Sequence, residues 1–310
     1  MTPVRTVFLG SGGFGVPTLR ALAKHASVEL VGVVTAPARP VGRRQVLTPS
    51  PLAAAVDLPT PTLAPERLRS PTAIAEVLAL GPELAVLADY GQLVPRPLLD
   101  LPHGALNLHP SLLPRHRGAS PIAATILAGD TRTGVSLMRM DAGLDTGPIV
   151  AVTARSLDGT ETAPELEADL AERAAELLMR WLDPYLAGDR RPVPQPDVGV
   201  TLTRPLRRED GHLDPARSAA ELERQVRAYQ PWPGSYLETD GGRLGVLKAS
   251  IEALDQGGEP GRLSGDKRSL VLTTGRGRLR LERVQPEGRT PMDAAAFLSG
   301  RPTILGTRVR

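Results

Sequence analysis

Four short stretches of this 310-residue chain carry side chains whose types and spacing could do chemistry. The first is Asn107-Leu108-His109, which ends an apolar run and is closed by Pro110. Successive strand side chains alternate between faces, so Asn107 and His109 project together while Leu108 points into the packing. A carboxamide and an imidazole on one patch can stabilise a developing negative charge and move a proton. The second stretch is MDAGLDTG, residues 140–147, where Gly143 and Gly147 are expected to permit unusual backbone angles around Asp145 and bring its carboxylate to a site. Asp141 and Asp145 suit ordinary turn positions equally well. The third is Gly10, Gly12 and Gly15, a full G-x-G-x-x-G between an apolar strand and a helix. A dinucleotide site needs an acid at the end of the second strand to hold the ribose, and here that strand runs out as VVTAPARP, with Arg39 its first charge. The expected role is therefore a tight turn beside some other ligand, with an NADP site as the alternative. The fourth is Arg39, Arg43 and Arg44, in a Pro- and Gly-bearing loop with no acid between Glu29 and Asp57. It suits a phosphate contact, with a solvated face as the alternative.

The elements that must position these groups follow from the apolar pattern. VRTVFLG, ELVGVVT, LAVLAD and GALNLH are short apolar runs without polar alternation, the pattern of strands buried on both faces, and helix-like segments separate them. The first part is thus expected to be a Rossmann-like parallel α/β sheet domain, with ligands at the C-terminal ends of its strands. Thr162 and Glu165 form a capping box ahead of a helix with a Leu166, Leu170, Ala174, Leu178 and Trp181 stripe, read as a packing helix. Pro recurs every second or third position from 192 to 196, the mark of an extended connector. Beyond it Ser218 and Glu221 cap a short helix, and DGG (240–242) and TGRG (274–277) separate paired strand patterns, so a small antiparallel, OB-like β-barrel is expected. The expected division is 1–188 catalytic, 189–205 linker and 206–310 C-terminal barrel.

Composition narrows the function. Hydrophobic residues make up 41% and charged residues 23%, which excludes disordered and fibrous classes. The absence of Cys excludes disulfides, thiolate metal sites and a Cys nucleophile, and with few His beyond His109 no metal is expected. Residues 205–310 hold 18 basic against 14 acidic side chains, whereas the remainder is nearly balanced. No run of 18 apolar residues and no signal-like leader is present, so the protein is expected to be cytoplasmic, without a membrane partner.

SLLPRHRGASPI (111–122) closely resembles the methionyl-tRNA formyltransferases, a folate-dependent formyltransferase family, and the order of motifs extends the match. RPVGRR resembles that family's basic loop, YGQLVP its folate-side segment, NLHPSLLP its catalytic strand, DAGLDTG its aspartate loop, and AAELERQVRAYQPWPGSYLE and KAS its second domain. The resemblance implies transfer of a formyl group from 10-formyltetrahydrofolate, a cosubstrate, to the amino group of methionyl-initiator tRNA. It implies Asn107, His109 and Asp145 as catalytic residues, and Ser111, Leu112, Leu113, Pro114, Gln92 and Leu93 as the folate side. It also implies tRNA contacts by Arg39, Arg43, Arg44, Arg204 and Arg207, in a protein expected to be monomeric. Asn107 and a protonated His109 are then expected to stabilise an oxyanion, while Asp145 handles the amine proton and orients His109. His116 stands where the family has Trp, and Thr203-Arg204-Pro205 where it often has Lys, so Arg204 is expected to supply that charge. The alternatives are a formyltransferase acting on a nucleotide-sugar amine, disfavoured by the basic loop and AYQPWPGSY, and an NADP-dependent reductase, which gives Asn107, His109 and Asp145 no role.

Overall fold

Val, Ile and Leu runs make strands because branched and aliphatic side chains pack well on a pleated surface covered on both faces. The computed structural model describes residues 2–42, 45–253 and 258–309. Its first elements are β1 (Val4–Leu9), α1 (Gly15–Leu22), β2 (Val28–Val34), β3 (Arg39–Val41), β4 (Val46–Thr48), α2 (Pro51–Ala55), β5 (Thr62–Leu63), α3 (Pro71–Ala79), β6 (Leu84–Leu87) and α4 (Arg96–Leu99). There follow β7 (Ala105–His109), β8 (Arg117–Gly118), α5 (Pro121–Ala128), β9 (Arg132–Arg139), β10 (Ile149–Ser156), α6 (Ala163–Leu186) and β11 (Leu202–Thr203). The last elements are α7 (Ala219–Ala228), β12 (Ser235–Thr239), β13 (Gly242–Ala253), β14 (Leu263–Gly265), β15 (Leu270–Thr273), β16 (Arg278–Pro286), β17 (Met292–Asp293) and α8 (Ala294–Gly300). They form two compact units: residues up to 121 with 132–156 and 166–204, and residues 122–131, 157–165 and 205 onward.

The first unit is built on a seven-stranded sheet in the order β10-β9-β7-β6-β1-β2-β5. Its body, β7, β6, β1, β2 and β5, is parallel, as the Rossmann-like reading expects. β9 extends it antiparallel to β7, and β10 lies outside β9 and antiparallel to it. The connection between them, residues 140–148, is too short for the crossover that a parallel pair needs, so the chain reverses. Val7, Leu9, Val34, Ala85 and Leu87 fill the core under the parallel strands. The loop after β2 contains the two-stranded ladder of β3 and β4, with Val41, Val46 and Leu47 exposed.

The glycine turn after β1 is a packing device. A Cβ at Gly10 would lie 2.7 Å from the carbonyl oxygen of Ala88, and at Gly15 2.8 Å, so only glycine lets this turn seat against the end of β6. At Gly12 the added carbon would collide with the Asp89 carboxyl. That carboxyl faces the turn, where a pyrophosphate would need a clear and uncharged approach. Desolvation lifts the pKa of Asp89, and desolvation together with the Asp89 charge lifts that of Glu167.

In the second unit the antiparallel strands run β12-β13-β16-β15-β14, with β17 paired to β16, and they supply the sheet of the expected barrel-like domain. Both hairpins fall where the turn signals place them, Thr239 opposite Gly242 and Thr273 opposite Arg278. Ser218 and Glu221 make the reciprocal cap of α7, and the hydrogen bonds from Ser218 hold the Glu221 carboxyl down to about 2. Arg224 donates to the carbonyl of Leu127 (3.1 Å) and Arg227 to that of Glu161 (2.8 Å), which ties 122–131 and 157–165 to this unit.

Gly10→Ala should cost about 1–3 kcal/mol of stability in urea unfolding, because the new methyl meets a main-chain oxygen. Gly12→Ala should cost less, because the Asp89 side chain can swing aside. Equal costs at the two positions would contradict this account of the turn.

Candidate active site

Strand alternation puts Asn107 and His109 on one face at the C-terminal end of β7, with Leu108 buried between them. Asn107 pairs in register with Met138 of β9 and Leu87 of β6, so the strand cannot slip and turn the pair over. Asn107 is half-buried, and no hydrogen bond engages its carboxamide among the described residues. It therefore keeps two donors for a ligand.

His109 is 5% exposed, so its ring N–H needs an acceptor within the protein. Nε2 lies 2.9 Å from the carbonyl oxygen of His116, which can only accept, so the ring proton sits on Nε2. Nδ1 lies 3.6 Å from Asp145 Oδ2. Burial pushes the imidazolium below its ordinary pKa, against the Asp145 charge and the His116 carbonyl, and the His116 ring adds to the lowering. Both nitrogens thus face protein, which differs from the expectation of a protonated imidazole aimed at an oxyanion. The expected catalytic charge on His109 has to overcome desolvation.

Asp145 stands at φ 51°, in the left-handed region that Asp tolerates better than most residues. Its Oδ2 accepts the main-chain N–H of Gly118 at 2.7 Å. The flanking glycines do not supply unusual angles, as the sequence suggested, since the positive φ of the loop falls on Asp145 itself. They supply clearance: a Cβ at Gly143 would lie 1.9 Å from Thr146 Oγ1, and at Gly147 1.9 Å from the Arg139 carbonyl oxygen. Asp141 closes the turn by accepting from Gly143 N (2.9 Å) and Thr146 Oγ1 (2.7 Å).

The expected folate-side residues fall in two places. Ser111 is fully buried and donates to the Arg115 carbonyl (2.7 Å), while Leu113 N donates to Ser136 Oγ (3.1 Å), so Ser111 to Pro114 form a fixed turn against β9 beside His109. Leu112 is half-buried, and Leu113 and Pro114 are buried. Gln92 spends its amide on the 65–68 segment, accepting from Leu68 N (2.7 Å) and donating to the Pro65 carbonyl (3.0 Å). Leu93 is 66% exposed. Of the expected tRNA contacts, Arg39 is exposed and ion-paired with Glu66, an acid that is distant in sequence. Arg204 and Arg207 are exposed, with Arg207 N capping a short turn through Asp210 (2.7 Å). Arg43 and Arg44 lie outside the described residues.

Sequence reasoning missed a set of supports. Gln195, inside the Pro-rich connector, donates to the carbonyls of Asp145 (2.8 Å) and Gly147 (2.7 Å) and accepts from Arg117 Nε (3.1 Å) and Nη2 (2.7 Å). Thr201 accepts from His116 N through Oγ1 (2.8 Å), and β11 pairs with β8. No local pattern announces these contacts, which link positions 48 to 86 residues apart.

A parallel-bodied α/β sheet thus presents, at the end of one strand, an unspent carboxamide beside an imidazole–carboxylate pair, groups able to move a proton and to stabilise negative charge. The chain belongs to the formyl transferase family: the family model described as formyl transferase matches residues 4–182, and that of the formyl transferase C-terminal domain matches 205–302. Proteins named methionyl-tRNA formyltransferase are similar over almost the whole length. That of Chloroflexus aurantiacus is 43% identical, covering 96% of this chain and 97% of its own. That of Gluconobacter oxydans is 42% identical, covering 99% and 100%. Among solved structures, an N-formyltransferase of Helicobacter canadensis in complex with folinic acid and dTDP-3-aminofucose shares the fold, with a TM-score of 0.66 at 15% identity over 91% of this chain and 100% of that one.

The lowered pKa of His109 has a signed consequence for stability. The unfolded chain takes up a proton near the ordinary value of 6.5 and the native site resists it, so stability is lost as the pH falls below that value. Urea midpoints at pH 7.5 and 5.5 should therefore differ less in His109→Gln than in the parent. An identical pH dependence would mean that His109 titrates normally.

Proposed function

We propose that this chain transfers the formyl group of 10-formyltetrahydrofolate to the amino group of methionyl-initiator tRNA, in support of translation initiation. The observation that carries the reading is the end-to-end likeness at more than 40% identity, through both domains, to proteins named for that activity. In this reading residues 1–188 are catalytic, 189–205 link, and 206–310 bind tRNA, and the protein works as a cytoplasmic monomer. No helix is long and apolar enough to cross a membrane among the described residues.

The donor set suits a folate cosubstrate. Exposed Leu93 offers apolar contact to a flat ring system, the buried Ser111–Pro114 turn gives a rigid floor, and the unspent amide of Asn107 suits a formyl oxygen. When bound, the cosubstrate supplies a formyl carbon on a nitrogen leaving group. Asn107 donates to the formyl oxygen as negative charge grows there. Asp145 receives the proton of the attacking amine, beside His109 Nδ1, and the pair returns it to the departing nitrogen. His109, with its Nε2 proton committed to the His116 carbonyl, leaves Nδ1 open to share the proton that Asp145 takes from the amine.

Supplying 10-formyltetrahydrofolate with methionyl-initiator tRNA should yield formylmethionyl-tRNA, and a nucleotide-sugar amine should not replace the tRNA. Activity on neither would sink the assignment. Asn107→Ala should slow single-turnover formylation by about a hundredfold to a thousandfold. Asp145→Asn should cost at least as much, and retention of more than roughly half the parent rate in either variant contradicts the assigned role.

The basic loop is assigned to tRNA phosphates, because loops that follow parallel strands emerge at the edge where Asn107 and His109 lie. Replacing Arg43 and Arg44 by Ala should flatten the logarithmic salt dependence of tRNA binding by roughly one to two, at about 0.9 per phosphate contact. The Michaelis constant for folate should stay unchanged. An unaltered slope with full activity would move the contact to Arg204, Arg207 and the C-terminal domain.

A further inference from the structure

The carboxylate that faces His109 is held from a segment that reads as a linker. Two residues before Gln195, Val193 pairs with Ile149 at the start of β10, through N–H to carbonyl contacts of 2.7 and 2.8 Å. Six residues after it, Thr201 accepts from Arg117 N (2.9 Å) and from His116 N. The connector is thus anchored on both sides of Gln195, which lies between two prolines. Its half-buried amide is fully committed: both hydrogens go to the carbonyls of Asp145 and Gly147, and the oxygen takes the bidentate donation of Arg117. The next residue after Arg117 supplies the N–H that holds Asp145 Oδ2. The backbone of Asp145 is therefore fastened to Gln195, which Arg117 grips, and its side chain to the residue that follows Arg117. The loop needs the fastening, because residues 141–144 are exposed and Asp145 holds a left-handed φ.

We propose that Gln195 is a positioning residue for formyl transfer: gripped by Arg117, it holds the Asp145–Gly147 backbone so that the Asp145 carboxylate stays against His109. The inference rests on the reading of Asp145 as the group that receives the amine proton. Gln195 touches no reacting atom and acts only through that carboxylate. Misplacement of a catalytic group by about an ångström can cost two orders of magnitude in rate, with little effect on binding.

The test is single-turnover formylation of methionyl-tRNA by the full chain with saturating 10-formyltetrahydrofolate, on Gln195→Met, Gln195→Glu, Asp145→Asn and the double variant Gln195→Met/Asp145→Asn. Gln195→Met keeps the shape and removes the amide, and should slow the saturated rate by roughly tenfold to a hundredfold. Half-saturating folate and tRNA should move by less than about twofold, and the melting temperature by a few degrees at most. Gln195→Glu keeps an acceptor for Arg117 but loses both donors, so it should fall as far, and it serves if the Met variant does not fold. In the Asp145→Asn background the Met substitution should cost less than about twofold, because the group being positioned is already lost. A Gln195→Glu variant as fast as the parent, or losses that multiply in the double variant, would overturn the inference and leave Gln195 as a strut. A fully active Asp145→Asn single variant would instead remove the catalytic reading itself, and the inference with it.

Discussion

An imidazole buried to 5% exposure needs an acceptor for its ring proton, and the elements around the end of β7 supply one while setting a carboxylate opposite the other nitrogen. β7 can bring His109 to the sheet edge, but it spends its own backbone on β6 and β9. The partners come from elsewhere. The chain turns sharply after His109, runs through 110–116 and returns the His116 carbonyl to Nε2. The hairpin connection after β9 brings the Asp145 carboxylate to Nδ1. Short β8 then serves both, since it follows His116 and its Gly118 N–H fixes the carboxylate. The imidazole, the carboxylate and the turn that holds the proposed folate floor are parts of one hydrogen-bonded arrangement, and removing any one leaves a buried polar group unsatisfied at a cost of about 1–3 kcal/mol.

The same economy explains the glycine turn at the other side of the parallel edge. A G-x-G-x-x-G sequence is often read as a cradle for pyrophosphate, yet its glycines here are needed by protein atoms: the Ala88 carbonyl at Gly10 and Gly15, and the Asp89 carboxyl at Gly12. The Asp89 carboxyl also fills the space beside Gly12 that an approaching phosphate would need. The turn gives β1 and β6 a common close-packed end.

Much of this was legible in the sequence because the signals are local. Period-two alternation puts Asn107 and His109 together, uninterrupted apolar runs announce the parallel body, and Ser218 with Glu221, DGG and TGRG mark a cap and two hairpins. What escaped is long-range. The apolar runs at 132–139 and 149–156 look like any buried strand, and only the short connection sets their antiparallel direction. Gln195 sits in a Pro-rich stretch whose composition announces extension and nothing else, so its grip on a loop about fifty residues away has no local sign. Arg39 seemed free of acidic neighbours along the chain, but Glu66 meets it through space. The sharpest difference concerns His109 itself. Residue type alone suggested a charged donor, whereas the His116 carbonyl defines its tautomer and burial opposes its charge.

That tautomer is the point on which the account turns, and nitrogen-15 NMR of the imidazole in the unliganded protein at pH 7.5 reads it directly. The account predicts a neutral ring with the proton on Nε2, slow to exchange because it is bonded to the His116 carbonyl, and Nδ1 unprotonated towards Asp145. A His109 ring carrying its proton on Nδ1 alone, or one whose Nε2 proton exchanges as fast as that of an exposed histidine, would contradict it.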